Sequence, residues 1–144
     1  MEYSARVIAE KVLKYCIECK KPISNLQLQK ILYYIQIGYY KREKSFIIRE
    51  NFEAWKFGPV IRDVYYDYCE NGANEIKNIL DTNIEISRRE RIIINKIVKE
   101  KIKETPWDLV KESHRKDGAW YRVYYDENNT EKIIDKDMLI KYEI

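Results

Sequence analysis

Cysteine, glycine, proline and histidine are all scarce in this chain, and each shortage closes a class of function. Three cysteines in 144 residues make no disulfide framework. Cys16-Ile17-Glu18-Cys19 is a C-x-x-C, but zinc takes four ligands and only Cys69 and His114 remain to complete them. A redox C-x-x-C opens a helix, where the dipole lowers the thiol pKa, whereas this one closes a helix. The thiols are therefore expected to be inert and metal-free. His114, the sole histidine, cannot build a metal triad and has no Ser/His/Asp or Cys/His set around it, so it reads as a packed or capping residue. Four glycines supply no phosphate-cradling loop. Without such groups neither an enzyme nor a cofactor is expected. A run of 18 apolar residues is missing, and Met1-Glu2-Tyr3-Ser4 has neither a basic nor an apolar start, so a cytoplasmic protein with no membrane partner is expected.

What is present is a charge-coated sequence with many rings. The length suits one domain, residues 1–144, with a real core. A formal charge of +3 is too small to demand a nucleic-acid partner by itself. Thirteen tyrosines and three tryptophans are more rings than one small core needs, which points to a protein interface.

The hydrophobic spacing predicts a mainly α protein, a compact bundle of about four to six helices around a central helix at 24–41, with a small β element near 46–57. Ser4 caps a first helix over 5–19, with Ala5, Ile8, Val12, Tyr15 and Cys16 on one stripe. Ser24 and Gln27 form a capping box, with Ile23 and Leu28 as its hydrophobic staple. The helix they open is apolar on more than half its circumference, which makes it central. Residues 46–57 read as extended, with a turn at Arg49-Glu50-Asn51. Gly58-Pro59 then reads as a joint from strand to a helix over 59–71, since Pro suits the first helical position. Asp63, Asp67 and Glu70 lie on that helix's solvated side. A few turns at 75–80 and a short strand at 84–86 follow. Ser87 and Glu90 form a second capping box, opening a helix over 88–104 that carries seven basic residues against two acidic ones up to Lys103. Thr105-Pro106-Trp107-Asp108 starts a short helix, with Trp107 and Val110 facing inward. Residues 121–125 alternate as a strand does, and Asp135 caps a last helix through Tyr142.

Two stretches also carry a resemblance. Ile23-Ser24-Asn25-Leu26-Gln27-Leu28-Gln29-Lys30-Ile31-Leu32-Tyr33-Tyr34 resembles the "I-S-N-L-K-L-Q-K-L-L-Y-Y" block of the Panacea family of antitoxins, which includes SocA-like members. Ala54-Trp55-Lys56-Phe57-Gly58-Pro59-Val60 resembles its "A-W-x-x-G-P-V" block. Ser113-His114 and Ala119-Trp120 resemble a third, "T-H … P-W", with Ser for Thr and Ala for Pro. The likeness is close from about Ser4 to Gly72 and loose from there to about Trp120. It implies an antitoxin that neutralises a cognate protein toxin by direct contact, with prophage association. Two alternatives stay open: an adaptor that delivers the toxin to protease machinery, or a nucleic-acid-binding regulator using helix 88–103.

The two blocks are expected to pack on each other through Leu28, Ile31, Leu32, Ile35, Val60, Ile61 and Val64. Tyr33, Trp55, Lys56, Arg62 and Tyr66 are left as an outer rim, a ring-and-base composition suited to a partner's docking surface. The alternative puts Tyr33 and Trp55 in the core and the partner on helix 88–103.

Overall fold

The structure, a computed structural model, describes residues 1–144. In chain order the elements are α1 (Ala5–Glu18), α2 (Asn25–Glu43), β1 (Phe52–Trp55), β2 (Gly58–Val60), α3 (Arg62–Tyr68), α4 (Arg88–Lys101), α5 (Pro106–Ser113), α6 (Ala119–Tyr124), β3 (Ile133–Ile134) and α7 (Lys136–Tyr142). The mainly α class with a small sheet agrees with the sequence reading.

Helix α2 is the axis. Its capping box is formed both ways: Gln27 N–H donates to Ser24 Oγ at 3.3 Å, and Ser24 N–H donates to Gln27 Oε1 at 3.0 Å. Ile23 and Leu28 are buried beside it, where a hydrophobic staple places them. Twelve of its 19 residues are buried, because α1, α3, α4, α5 and β2 all pack around it. A helix enclosed on all sides needs apolar residues all round, which is why it lacks one clean stripe. All seven residues expected to face inward from the two blocks are buried. Ser87 and Glu90 form the second capping box at the start of α4, and Thr105 and Asp135 cap α5 and α7.

The sheet runs β2-β1-β3, all antiparallel. Here the expected strand-to-helix joint is corrected. Trp55 pairs with Gly58 and Glu53 with Val60, so Lys56-Phe57 is a two-residue hairpin turn and the expected turn at 49–51 is not the hairpin. Pro59 lies in β2, which is the sheet's edge, the place where a residue without N–H is tolerated. The helix begins only at Arg62.

Residues 121–125 are also corrected, from strand to the helix α6. Tyr serves either face, so the apparent alternation was uninformative; Trp120 and Val123, three apart, are the pair that points inward. No regular element forms at 75–80 or 84–86. That loop is held by side chains instead: Leu80 N–H donates to Tyr68 OH at 3.2 Å, and Thr82 donates to the buried Glu10 of α1. Helix α4 ends at Lys101, short of Glu104.

Candidate docking surface over a buried lysine

The β1–β2 hairpin stands against α3 and α5, and its turn carries the rings. Arg62, the first residue of α3 and two beyond β2, forks onto Glu53 of β1 with N···O distances of 2.9 and 2.7 Å. Glu53 also accepts from Trp55 Nε1 at 3.1 Å. Those bonds hold the Trp55 ring under the Arg62 guanidinium, 5.8 Å away, and edge-on to Tyr65 and Tyr66 at 4.9 and 6.4 Å. Across the turn, Phe57 meets Trp107 of α5 edge-to-face at 5.6 Å. Phe57, Tyr66 and Trp107 are 48%, 57% and 61% exposed, so these large rings face solvent rather than the core.

The structure thus brings together Trp55, Lys56, Arg62 and Tyr66, four of the five residues expected on a rim. Tyr33 is the exception. It is fully buried, edge-on to Phe52 at 5.2 Å, and its hydroxyl donates to Glu143 Oε2 at 3.1 Å. Glu143 also accepts from Ala119 N–H and pairs with Arg115, so Tyr33 ties α2 to the far end of the chain. Trp107 is corrected the other way, outward instead of inward: Leu109 and Val110 fill the core side of α5 and leave it on the surface.

Between these rings lies a cavity of about 410 Å³. Trp55, Phe57, Tyr65 and Trp107 wall it, Lys56 stands at its edge, and Lys30 of α2 lies at its floor. Lys30 has no exposed surface and no carboxylate partner; its Nζ donates to Pro59 O at 2.6 Å. Burial lowers its pKa to about 7. Gly58 must be bare to lie over it. With φ +113°, a Cβ there would stand 2.5 Å from Lys30 Cε and 2.8 Å from Ser113 Oγ. Beside Lys30, His114 stacks flat on Trp120 with centroids 3.6 Å apart, and its Nε2 has no partner. Burial, then the Lys30 charge, push the His114 pKa down. Sequence reasoning missed Lys30. The signal was its phase, since Leu26, Lys30, Tyr33 and Ile37 share one helical face.

A relay fixes the floor. Asn25 donates to Tyr65 O, Gln29 donates to Asn25 Oδ1, and Gln29 Oε1 accepts from Ile61 N–H at 2.9 Å. The hairpin and α3 are therefore bolted to α2 by side-chain amides.

Of the seven cations expected on α4 and its end, three are engaged: Arg89 with Glu43, Arg91 with Glu85, and Lys101 with Glu112 and Glu104. Arg88, Lys96, Lys99 and Lys103 make no ion pair. Cys16 is buried, with its thiol pushed up to about 12 by burial; Cys19 and Cys69 are exposed. No group of three or more His, Cys, Asp or Glu side chains is placed to hold a metal, and no helix is long and apolar enough to cross a membrane.

The hairpin face thus presents exposed rings and bases above a single buried lysine. Residues 28–121 match the family described as Antitoxin SocA-like, Panacea domain, and the chain belongs to that family. It is similar to Antitoxin SocA of Caulobacter vibrioides (strain NA1000 / CB15N), with 39% identity over 74 residues, which cover 51% of this chain and 39% of that protein. The match thus spans less than half of the Caulobacter protein's length. No solved structure matches significantly.

Proposed function

We propose that this chain is an antitoxin that neutralises a cognate protein toxin by direct contact, residues 1–144 acting as one unit. The hairpin face docks the toxin, with Trp55, Lys56, Arg62 and Tyr66 joined by Phe57 and Trp107. The observation that supports this reading most is the exposed Phe57–Trp107 pair beside the Arg62–Trp55–Tyr66 stack. Large rings held rigid by neighbours, next to an arginine, are the composition of interface hot spots. Family membership supplies the partner class. The test is co-expression with the toxin encoded beside it. Tyr66→Ala and Trp107→Ala should each abolish rescue of growth while leaving the melting temperature within a few degrees. Rescue at wild-type level by both would sink the placement.

A second reading has an observation of its own. The four cations of α4 and its end without ion pairs favour nucleic acid, in which case affinity for DNA should fall steeply with salt. Delivery of the toxin to a protease would use the same docking face and would be seen as toxin turnover that requires this chain. Association with a prophage is an expectation of the family resemblance, tested by the genes that flank it.

A further inference from the structure

The cavity under the hairpin has one-sided chemistry. Its walls are rings. Its charged lining residues are Lys30 and Lys56, and none of its lining residues is acidic. Glu53, the carboxylate that holds Trp55, is already committed to Arg62 and Trp55. Lys30 is the only lysine with no exposed surface, and its amine has a carbonyl partner, Pro59 O, but no counter-charge. A charge so placed is poorly shielded, because the apolar surround has a low effective dielectric.

We infer that this cavity is the receptor for an anchor on the protein partner that combines an aromatic ring with an adjacent carboxylate. The inference rests on the docking reading above for its carrier, a protein, while the chemistry of the site is read from the side chains themselves. The ring enters between Trp55, Phe57 and Trp107, which line the cavity. The carboxylate stays toward the mouth, near Lys56, and takes its orientation from the Lys30 charge beneath. Lys30 has no surface of its own, so it acts through its field and not by contact. A cationic anchor is repelled by both lysines. An uncharged ring gains the wall contacts only. A volume of about 410 Å³ lies within the range of ligand cavities and exceeds what one ring fills, which leaves room for the flanking acid.

Three small probes test this on the full chain at about pH 6, where Lys30 holds its proton, and at low salt: indole-3-propionate, its amide, and tryptamine. Binding is followed by the indole N–H resonances of Trp55 and Trp107. The acid should bind at least about tenfold more tightly than the amide, and the amine more weakly than either. Lys30→Met should cut the preference several-fold, leaving the share that Lys56 supplies; a preference unchanged in Lys30→Met also overturns the inference. Because that variant alters a buried site, Lys56→Gln on the exposed turn serves as the second; it should reduce the preference several-fold without touching the core. Equal binding of acid and amide by the wild-type chain overturns the inference. So does preference for the amine, or no response to any probe up to about 10 mM, where an anchor would contribute little. Failure of the docking reading looks different. If Trp107→Ala loses the probe yet still neutralises the toxin, the toxin docks elsewhere while the acid-selective site stands. If Trp107→Ala loses neutralisation and the wild type shows no acid preference, the docking face stands and its charge chemistry is refuted.

Discussion

A fully buried lysine is costly unless its charge is answered, and Lys30 is answered only by one carbonyl. Its folded pKa of about 7 lies below the 10.5 of an exposed lysine. Below pH 7 both the folded and the unfolded chain hold the proton, and the folded chain bears the full burial penalty. Above pH 7 the folded chain releases it while the unfolded chain keeps it, so stability rises with pH. His114 titrates below this window and the Cys16 thiol above it, with the unfolded thiol starting near 9. Between pH 7 and 9 Lys30 should therefore dominate, adding up to about 1.4 kcal/mol per pH unit. Urea denaturation across that window should show the rise in the wild type and its loss in Lys30→Met. A flat wild-type profile would mean that water reaches the amine. The neighbouring glycine answers to sterics instead. Gly58→Val adds a Cβ against Lys30 and Ser113 at φ +113°, and should cost at least about 2 kcal/mol, read as a lowered denaturation midpoint.

At the scale of elements, what was legible in the sequence is what local chemistry decides. Both capping boxes and the Thr105 and Asp135 caps rest on neighbours within one turn, and each formed. The hairpin was harder. Gly-Pro after an alternating run fits a helix start as well as an edge strand. What decides between them is Lys30, 29 residues away, whose amine binds the Pro59 carbonyl. The same holds for the site: Trp55, Lys56, Arg62 and Tyr66 could be grouped as the residues left outward around Gly58-Pro59, but Trp107 joins them only through the packing of α5 on the hairpin. Tyr33 and Trp107 traded places because a ring's address depends on a partner such as Glu143, which no spacing reveals. The loop over 72–87 is a further tertiary matter. It hangs on Glu10, whose carboxylate burial would raise but bonds from Thr82, Lys11 and Lys14 hold down at about 2. That stabilisation is complete above about pH 4.5 and fades as pH falls toward 2. Glu10→Gln should cost about 1–3 kcal/mol, flatten the acid limb of the stability profile and open residues 72–87 to limited proteolysis. A loop as resistant as wild type would show that Ile76 and Ile86, both buried, anchor it without Glu10.

Over the whole molecule the two candidate surfaces differ in kind. The hairpin face offers large rings already locked by neighbours, so little side-chain entropy is lost when a partner covers them. The α4 face offers Arg88, Lys96, Lys99 and Lys103, long exposed cations with no fixed geometry, which suit long-range attraction better than tight fit. With a net charge of only +3, the chain as a whole has a weak field, so an α4 partner would have to be strongly acidic or a nucleic acid. These differences give opposite signatures. On the hairpin face, Tyr66→Ala and Trp107→Ala should each weaken toxin binding by about 2 kcal/mol or more, some thirtyfold in Kd, mostly through faster dissociation and with little salt dependence. Reversing Lys99 and Lys103 to Glu should change only the association rate, and only at low salt. Surface plasmon resonance at two ionic strengths separates the cases in one series. If the charge reversals abolish binding while both aromatic variants bind as wild type does, α4 is the toxin's surface. The rings at the hairpin would then need a partner other than the toxin.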